Sequence, residues 1–341
     1  SRGLGDVYKR QILSTLMVCS LAICMAACQF DRNLIKENAG KDLHIIRYDR
    51  MVDDYVNTGN VALWQRMNTE FPRETRALIE DVLHLGRADN EDIDDSLIAY
   101  YKDPILVQLR MDISRKFEDL SVYEKALSCA FKRLEAEDKN FVTPKIYAQN
   151  SAFNQSIVVG DSLIGISLDK YMGADYPAYK KYFYENQRAT MEPSRIVQDC
   201  LYFYLNQQFP PTRLRIRHTL GQWLIHQGKI AWVVAQLTNK SAIDIAACQP
   251  ATKAWYKLNE RRVWNTLRNE KIWNSYDSLL LHSILYSSDA HPYFVDPHSR
   301  GVGLWIGMRI VDGYMKHHPE MSFDALLRYN NYDLIRKESN Y

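Results

Sequence analysis

One segment of the chain has the residue spacing of a helical zinc site. Between His218 and His226, Gln222 and His226 are four positions apart, so a helix would place both side chains on one face. In a metallopeptidase helix of this kind, two histidines at that spacing bind zinc, and a glutamate beside the first activates water. Trp223 occupies the position of that glutamate. A neutral amide is a poor zinc ligand and an indole accepts no proton, so two of the groups needed for metal-assisted hydrolysis are missing.

A later helix supplies one further acidic side chain. Glu260, in the pair Asn259-Glu260, resembles the residue that gives gluzincin peptidases their third ligand. Catalytic zinc sites use three protein ligands and an open position. The sequence therefore predicts no catalytic residues and no cofactor, with Gln222, His226 and Glu260 as residual metal-site positions. The alternative is a metal-dependent peptidase or hydrolase with a non-standard ligand set, binding zinc through His226, Glu260 and a histidine of the loop that contains Asp289, His291, Asp296 and His298.

A tyrosine-rich segment is the stronger candidate for binding. Asp169, Tyr171, Tyr176, Tyr179 and Tyr182 fall within fourteen positions. Tyrosine is favoured at interfaces because it offers a large contact area at little cost in rotamer freedom. We therefore predict that Asp169, Tyr171, Tyr176 and Tyr179 contact a protein partner. The alternative is that the segment packs on its own domain, and a carbohydrate or peptide ligand is a weaker hypothesis.

The periodicity of apolar residues predicts helices around a small sheet. Asp103 before Pro104 indicates one helix start, and a capping box beginning at Ser121 indicates another. Strands are predicted near 44–48, 145–148, 157–159 and 163–168, the last two joined by a tight turn at Gly160-Asp161. The predicted fold class is α+β, predominantly α-helical with a small antiparallel sheet.

The order of these elements resembles a degenerate zincin-like peptidase, with helices, a small sheet, a long ligand-bearing helix and a helical lobe. The predicted parts are a helical region over 43–140, a sheet region over 141–170 and a helical lobe over 171–341. The run from Gly301 to Gly307 has the wrong glycine spacing for a dinucleotide loop and no strand before it. Its small residues therefore predict close helix–helix packing.

The N-terminal region has the composition of a bacterial lipoprotein signal. Residues 12–27 are apolar or small, follow Lys9-Arg10, and end in Met25-Ala26-Ala27 immediately before Cys28. This pattern resembles a lipobox, and it predicts acylation of Cys28 and attachment to a membrane through buried acyl chains. Residues 1–11 are interpreted as a sequence artefact, and residues 28–42 as a polar tether.

Charge and cysteine content exclude several classes of protein. Removal of residues 1–27 takes away three basic side chains and one acidic one, which leaves 40 of each. A neutral chain gives no electrostatic reason to expect nucleic acid or an anionic membrane surface as a partner. Apart from Cys28, the cysteines that remain are Cys129, Cys200 and Cys248, whose odd number and wide spacing favour buried free thiols over a disulfide framework.

Several motifs together resemble the gliding-motility lipoprotein B family of the Bacteroidota. They run in the same order as in the family: residues 166–177, 196–199, 226–229, 259–260 with Trp264, 285–289, 303–311 and 314–315. The resemblance implies an envelope lipoprotein linked to gliding and to the type IX secretion apparatus. It favours the outer membrane, with the domain facing the periplasm and envelope proteins as partners. The expected function is a non-catalytic, zincin-like binding or scaffold domain.

Overall fold

The computed structural model describes residues 43–138, 141–211, 217–286 and 293–341, and the chain from His44 to Tyr341 forms one unit with its own core. Between the first and second strands of the sheet lie α1 (Tyr48–Thr58), α2 (Val61–Glu70), α3 (Pro72–Arg76), a π-helical turn (Ala77–Val82), α4 (Ile93–Tyr101), α5 (Pro104–Lys116) and α6 (Ser121–Glu137). The strands are β1 (Ile45–Ile46), β2 (Lys145–Gln149), β3 (Ile157–Gly160) and β4 (Leu163–Ser167).

The chain after the sheet is helical. A 3₁₀ turn (Leu168–Tyr171) leads to α7 (Pro177–Tyr182), α8 (Glu185–Arg188), a 3₁₀ turn (Pro193–Arg195), α9 (Ile196–Gln208), α10 (Leu220–Thr238), α11 (Ala242–Ala246), α12 (Pro250–Leu267), α13 (Glu270–Trp273), α14 (Ser278–Leu285), a 3₁₀ turn (Pro297–Ser299), α15 (Val302–His317), α16 (Phe323–Arg328) and α17 (Tyr332–Glu338). In the described part of the chain, no helix combines the length and the apolar character needed to cross a membrane.

The sheet is mixed, so the prediction of an antiparallel sheet is wrong in part. The strand order is β1-β2-β4-β3, and only the β3–β4 hairpin is antiparallel. Both β1 and β4 run parallel to β2, with Ile45 opposite Ile146 and Ile146 opposite Ile164. Hairpin composition identifies the β3–β4 pair correctly. It carries no information about the strand on the other side of β4, which is set by the path of residues 150–156.

Two long helices, α10 and α15, cross at glycines in the centre of the C-terminal half. A Cβ atom added to Gly228 would lie 2.3 Å from the carbonyl carbon of Gly307. A Cβ atom added to Gly307 would lie 2.0 Å from the carbonyl oxygen of Leu224. Neither contact leaves space for a side chain. The prediction that the run from Gly301 to Gly307 serves helix packing is therefore confirmed.

The helix starts and the cysteines give mixed outcomes. Asp103 caps α5 as predicted, because its carboxylate accepts a hydrogen bond from the backbone N–H of Ile105 at 2.8 Å. The capping box predicted at Ser121 is wrong, because Ser121 is the first helical residue and its side chain donates to Asp119 instead. All three described cysteines are free, but only Cys200 is buried, whereas Cys248 is half-buried and Cys129 is exposed.

Candidate ligand-binding cleft

His226 lies inside the domain on α10, with 2 % of its surface exposed. Its Nδ1 is 3.2 Å from the hydroxyl of Tyr332, and its Nε2 has no hydrogen-bonding partner in the described part of the chain. Burial lowers the pKa of His226 to about 3, and the neighbouring Lys229 lowers it in the same direction. The imidazole is therefore neutral at physiological pH.

The neighbour of His226 on the helix is a buried cation. The Nζ of Lys229 donates to the backbone carbonyls of Leu327 at 3.0 Å and Tyr329 at 2.6 Å, at the end of α16. It also lies 5.2 Å from the centre of the Tyr332 ring. Burial lowers the pKa of Lys229 to about 7. Positive charge at this position opposes the binding of a metal cation at His226.

Gln222 acts as a helix cap. Its side-chain Oε1 accepts a hydrogen bond from the backbone N–H of Thr219 at 3.1 Å, and the backbone N–H of Gln222 donates to the Thr219 hydroxyl at 3.4 Å. This reciprocal pair is a capping box, which satisfies two free N–H groups at the start of α10. The amide oxygen that the sequence aligns with a zinc ligand is therefore engaged with the backbone.

Both carboxylate oxygens of Glu260 are also engaged. The Oε1 atom accepts hydrogen bonds from Arg309 at 3.0 Å and Tyr341 at 2.8 Å, and Oε2 accepts one from the Trp305 indole at 3.1 Å. Glu260 thereby joins α12 to α15 and to the C-terminal residue. Among the residues that the structure describes, no group of three or more His, Cys, Asp or Glu side chains is arranged to hold a metal ion.

The loop histidines proposed as alternative ligands are only partly described. Asp289 and His291 lie outside the described residues. The Asp296 carboxylate accepts a hydrogen bond from the backbone N–H of His298 at 2.8 Å, which caps a short 3₁₀ turn. The His298 Nδ1 lies 3.2 Å from the hydroxyl of Thr252. In the described residues, the Asp and Pro of this loop therefore serve turn formation. Cys28, the predicted lipidation site, also lies outside the described residues.

Asp169 organises the turn that follows β2. Its carboxylate accepts hydrogen bonds from the backbone N–H of Ser151 at 2.7 Å, the hydroxyl of Ser151 at 2.8 Å and the backbone N–H of Phe153 at 2.6 Å. Ala152 and Phe153 have φ values of 50° and 70°, in the left-handed region that non-glycine residues rarely adopt. The fully buried carboxylate stabilises this conformation, which is an internal role.

The tyrosines of the same segment also point into the domain. Tyr171 and Tyr179 are buried, and Tyr176 is half-buried. The Tyr179 hydroxyl donates to the backbone carbonyl of Asp169 and accepts from the N–H of Met172 at 2.9 Å, while Tyr176 donates to Asp112 on α5 at 3.0 Å. These side chains pack on their own domain, where Asp169, Tyr171 and Tyr179 are buried. Their contact with a protein partner stays a prediction.

A large cleft lies beside this segment, and Tyr171 belongs to its wall. The cleft has a volume of about 990 Å³ and lies between residues 183–191 on one side and the start of α12 and the end of α14 on the other. Two tyrosines on its lining are strongly exposed, Tyr184 at 75 % and Tyr286 at 53 %. Further side chains on its lining are Lys170, Phe183, Asp199, Cys248, Thr252, Tyr256, His298 and Arg300.

Asp199 lines the cleft and forms a half-buried ion pair with Arg195, which lines an adjoining pocket. The Oδ1 of Asp199 accepts a hydrogen bond from Arg195 at 3.0 Å, and Oδ2 accepts one from the Tyr171 hydroxyl at 3.1 Å. The Arg195 guanidinium also donates to the sulfur of Cys248 at 2.9 Å, while its Nε lacks a partner in the described residues. Burial raises the pKa of Asp199, and the charge of Arg195 opposes this shift. The group can offer hydrogen bonds to a ligand in a setting largely shielded from water.

A smaller pocket adjoins the cleft at Asp199, Leu285 and Tyr286, which line both cavities. Its volume is about 120 Å³. Aliphatic side chains form much of its lining, and Arg195 and Gln198 add polar groups. The other lining residues are Tyr202, Val234, Ile245 and Leu304. A pocket of this size and composition suits a single side chain of a larger ligand that occupies the cleft.

Sequence reasoning identified Tyr171 but missed most of the cleft. The spacing of Arg195 and Asp199, four residues apart on a helical segment, is a signal for an ion pair that could have been used. No sequence signal connects Arg195 with Cys248, which lies 53 positions away and reaches it only through the packing of α9 against the α11–α12 connection. Tyr184 and Tyr286 carry no distinctive pattern among 22 tyrosines.

Comparison with known proteins identifies a family. The model of the family of gliding motility protein GldB matches residues 31–341. No curated protein and no solved structure matches the chain. Because the family match covers nearly the whole chain, the chain belongs to the family of gliding motility protein GldB, a lipoprotein family associated with gliding motility and with the cell envelope.

Proposed function

We propose that this chain is a lipid-anchored envelope protein whose domain binds an extended segment of a protein partner in the cleft and acts by contact, without catalysis. The observation that carries the proposal is the cleft itself, with exposed Tyr184 and Tyr286 on its lining and Asp199 in its wall, paired with Arg195 of the adjoining pocket. Its volume lies at the upper end of the range for small-molecule pockets. An extended peptide with one side chain in the adjoining pocket fits this shape.

The chemistry of the lining supports binding over proton transfer. Exposed tyrosines give contact area on the lining, and the polar groups of the wall give direction to hydrogen bonds. Both oxygens of Asp199 already accept hydrogen bonds, from Arg195 and from Tyr171. These two bonds join the start of α9 to the residues on either side of it in the wall, so this carboxylate is suited to holding the wall in shape.

We also propose that the domain derives from a zincin-like peptidase. What supports it is the order of elements, in which a small sheet precedes the long helix α10 and a helical lobe follows. The positions that correspond to zinc ligands and base now hold Gln222 as a cap, Trp223, and His226 against Tyr332. The proposal accordingly assigns no resident cofactor.

Location in the envelope is part of the same proposal. Cys28 is taken as the acylated residue, and Gln29 follows it where some lipoproteins of the inner membrane carry aspartate. We therefore place the protein in the outer membrane with its domain facing the periplasm. Its partners are taken to be envelope proteins of the type IX secretion and gliding apparatus.

Affinity isolation with cleft variants tests this proposal. Tyr184→Ala with Tyr286→Ala removes exposed contact area at small cost to the fold, because neither ring is buried. Tyr276→Ala is the matched control, because Tyr276 is 53 % exposed, as Tyr286 is, and does not line the cleft. Each tagged protein is isolated from cross-linked and solubilised envelopes, and co-purified proteins are quantified by mass spectrometry.

The expected result is loss of one or more partners in the double variant and their retention in the Tyr276→Ala protein. Equal recovery of every partner with wild type and with the double variant would show that the cleft is not the contact surface. The buried residues Tyr171 and Tyr179 are unsuitable for this test, because their replacement would disturb the fold as well as any contact.

A further inference from the structure

The outward side of α12 carries a concentrated group of cations. Lys257, Arg261 and Arg262 on the helix and Arg268 directly after it are all exposed. At 100° per residue, these positions fall on one side of the helix, opposite the buried Tyr256 and Val263. Leu258 lies on the same side and is 84 % exposed. We call these five residues the basic face of α12.

No carboxylate balances this face from within the helix. The only acidic residue of α12 is Glu260, which turns toward α15 and pairs with Arg309 at 3.0 Å. Across the residues that the structure describes, none of the four cations takes part in an ion pair within 4.0 Å. Exposed helices elsewhere do pair their cations, as in Arg66 with Glu70 and Lys316 with Asp312.

The absence of local partners has an energetic consequence. Like charges four residues apart, such as Lys257 and Arg261, destabilise an isolated helix slightly. An external anionic surface would relieve this repulsion and attract each cation. Each of these residues would then increase the affinity for the surface about fivefold. The even balance of 40 acidic and 40 basic side chains in residues 28–341 averages over all faces and therefore conceals this patch.

We propose that the basic face of α12 docks on an anionic phospholipid surface, with lipid phosphates against the four cations and Leu258 at the headgroup boundary. The fifteen residues from Cys28 to Asp42 can extend at most about 50 Å. A tether of this length keeps the domain near the bilayer. The basic face supplies the charge complementarity that selects one orientation. This proposal does not depend on what the cleft binds.

Vesicle sedimentation of residues 43–341 tests the proposal, since residues 44–341 form one unit with their own core. The probes are vesicles of phosphatidylcholine alone and vesicles with 30 % phosphatidylglycerol, at 0.1 M salt. The wild-type domain is expected to bind the anionic vesicles only. The variant Lys257→Gln with Arg261→Gln and Arg262→Gln is expected to bind about 100-fold more weakly, because three cations are removed.

The matched control replaces three other exposed cations, Lys125→Gln with Lys180→Gln and Lys181→Gln, and is expected to bind nearly as wild type does. Far-UV circular dichroism and urea midpoints confirm that both triple variants are folded. Equal losses in the two variants would show a nonspecific charge effect and overturn the proposal. Absence of binding to the anionic vesicles, or equal binding to neutral ones, would also overturn it and leave an acidic protein as the candidate for this face.

Discussion

The buried ammonium of Lys229 makes stability depend on pH in a way that one substitution removes. The side chain is fully buried, and its Nζ bonds the carbonyls of Leu327 and Tyr329, with no carboxylate of the described residues among its hydrogen-bonding partners. Burial lowers the pKa from 10.5 to about 7. The unfolded chain therefore binds more protons than the folded one between these values, so the free energy of unfolding rises with pH across this window.

The size of the effect follows from the two pKa values. A depression of the pKa of Lys229 from 10.5 to about 7 corresponds to roughly 4 to 5 kcal/mol that the charged form costs the folded state. Proton linkage for these values gives a rise in the free energy of unfolding of about 2 kcal/mol between pH 7 and pH 9. Burial also lowers the pKa of Lys170 and of Lys240, so the wild-type dependence contains further contributions of the same sign.

Urea unfolding at pH 7 and pH 9 isolates the contribution of Lys229. Lys229→Met retains the volume of the side chain and removes the titrating group, so the rise with pH should be about 2 kcal/mol smaller in this variant than in wild type. Lys316→Met, an exposed lysine on α15, should retain the wild-type rise. An equal rise in wild type and Lys229→Met would refute the assignment of a lowered pKa to Lys229.

Three further predictions follow from the packing and from the metal-site positions considered in the sequence. Gly307→Ala should lower the free energy of unfolding by about 3 kcal/mol or more in urea titrations, because its Cβ would meet the Leu224 carbonyl; Gly160→Ala, with its nearest neighbour at 3.8 Å, should change it by less than about 1 kcal/mol. Asp169→Asn should lower the free energy of unfolding by about 1 to 3 kcal/mol in the same assay. The two carboxylate oxygens of Asp169 accept three hydrogen bonds, and the amide of Asn keeps only one of these oxygens. An unshifted urea midpoint would contradict this role. Metal analysis of the dialysed protein should give less than stoichiometric zinc in wild type and in His226→Ala alike; stoichiometric zinc that disappears in His226→Ala would revive the metal-enzyme alternative.

Local patterns in the sequence predict those parts of the fold that depend on neighbouring residues. Gly160-Asp161 between two apolar runs predicts the β3–β4 hairpin, whose turn residues prove to be Asp161 and Ser162. Asp103 before Pro104 predicts the start of α5. The spacing of Gly303 and Gly307 indicates a close helix contact because glycine at four-residue spacing offers a flat surface. These features are determined within a few residues, so composition and spacing are sufficient to find them.

Burial of the tyrosine segment was beyond the reach of the same reasoning. A tyrosine has the same area and hydroxyl whether it faces a partner or its own core, and sequence density alone does not distinguish the two. What decides the outcome for Tyr171 and Tyr179 is the presence of Asp199 and of the Asp169 carbonyl at hydrogen-bonding distance. The parallel pairing of β1 and β4 with β2 is likewise a consequence of long-range packing.

The candidate site was located only in part, for a related reason. The sequence drew attention to α10 through the spacing of Gln222 and His226, and both side chains prove to hold internal positions. The cleft instead combines residues from seven separate stretches between Ser156 and Gly301. A lining assembled from so many stretches leaves no compact motif in the sequence.

Photo-crosslinking in living cells tests the central claim, contact through the cleft, most directly. Benzoylphenylalanine is placed at Tyr286 on the cleft lining and, in a separate strain, at the equally exposed Tyr276 away from it. The account predicts a discrete adduct with an envelope protein from the position of Tyr286 and none from that of Tyr276. The same adducts from both positions, or adducts from Tyr276 alone, would contradict it.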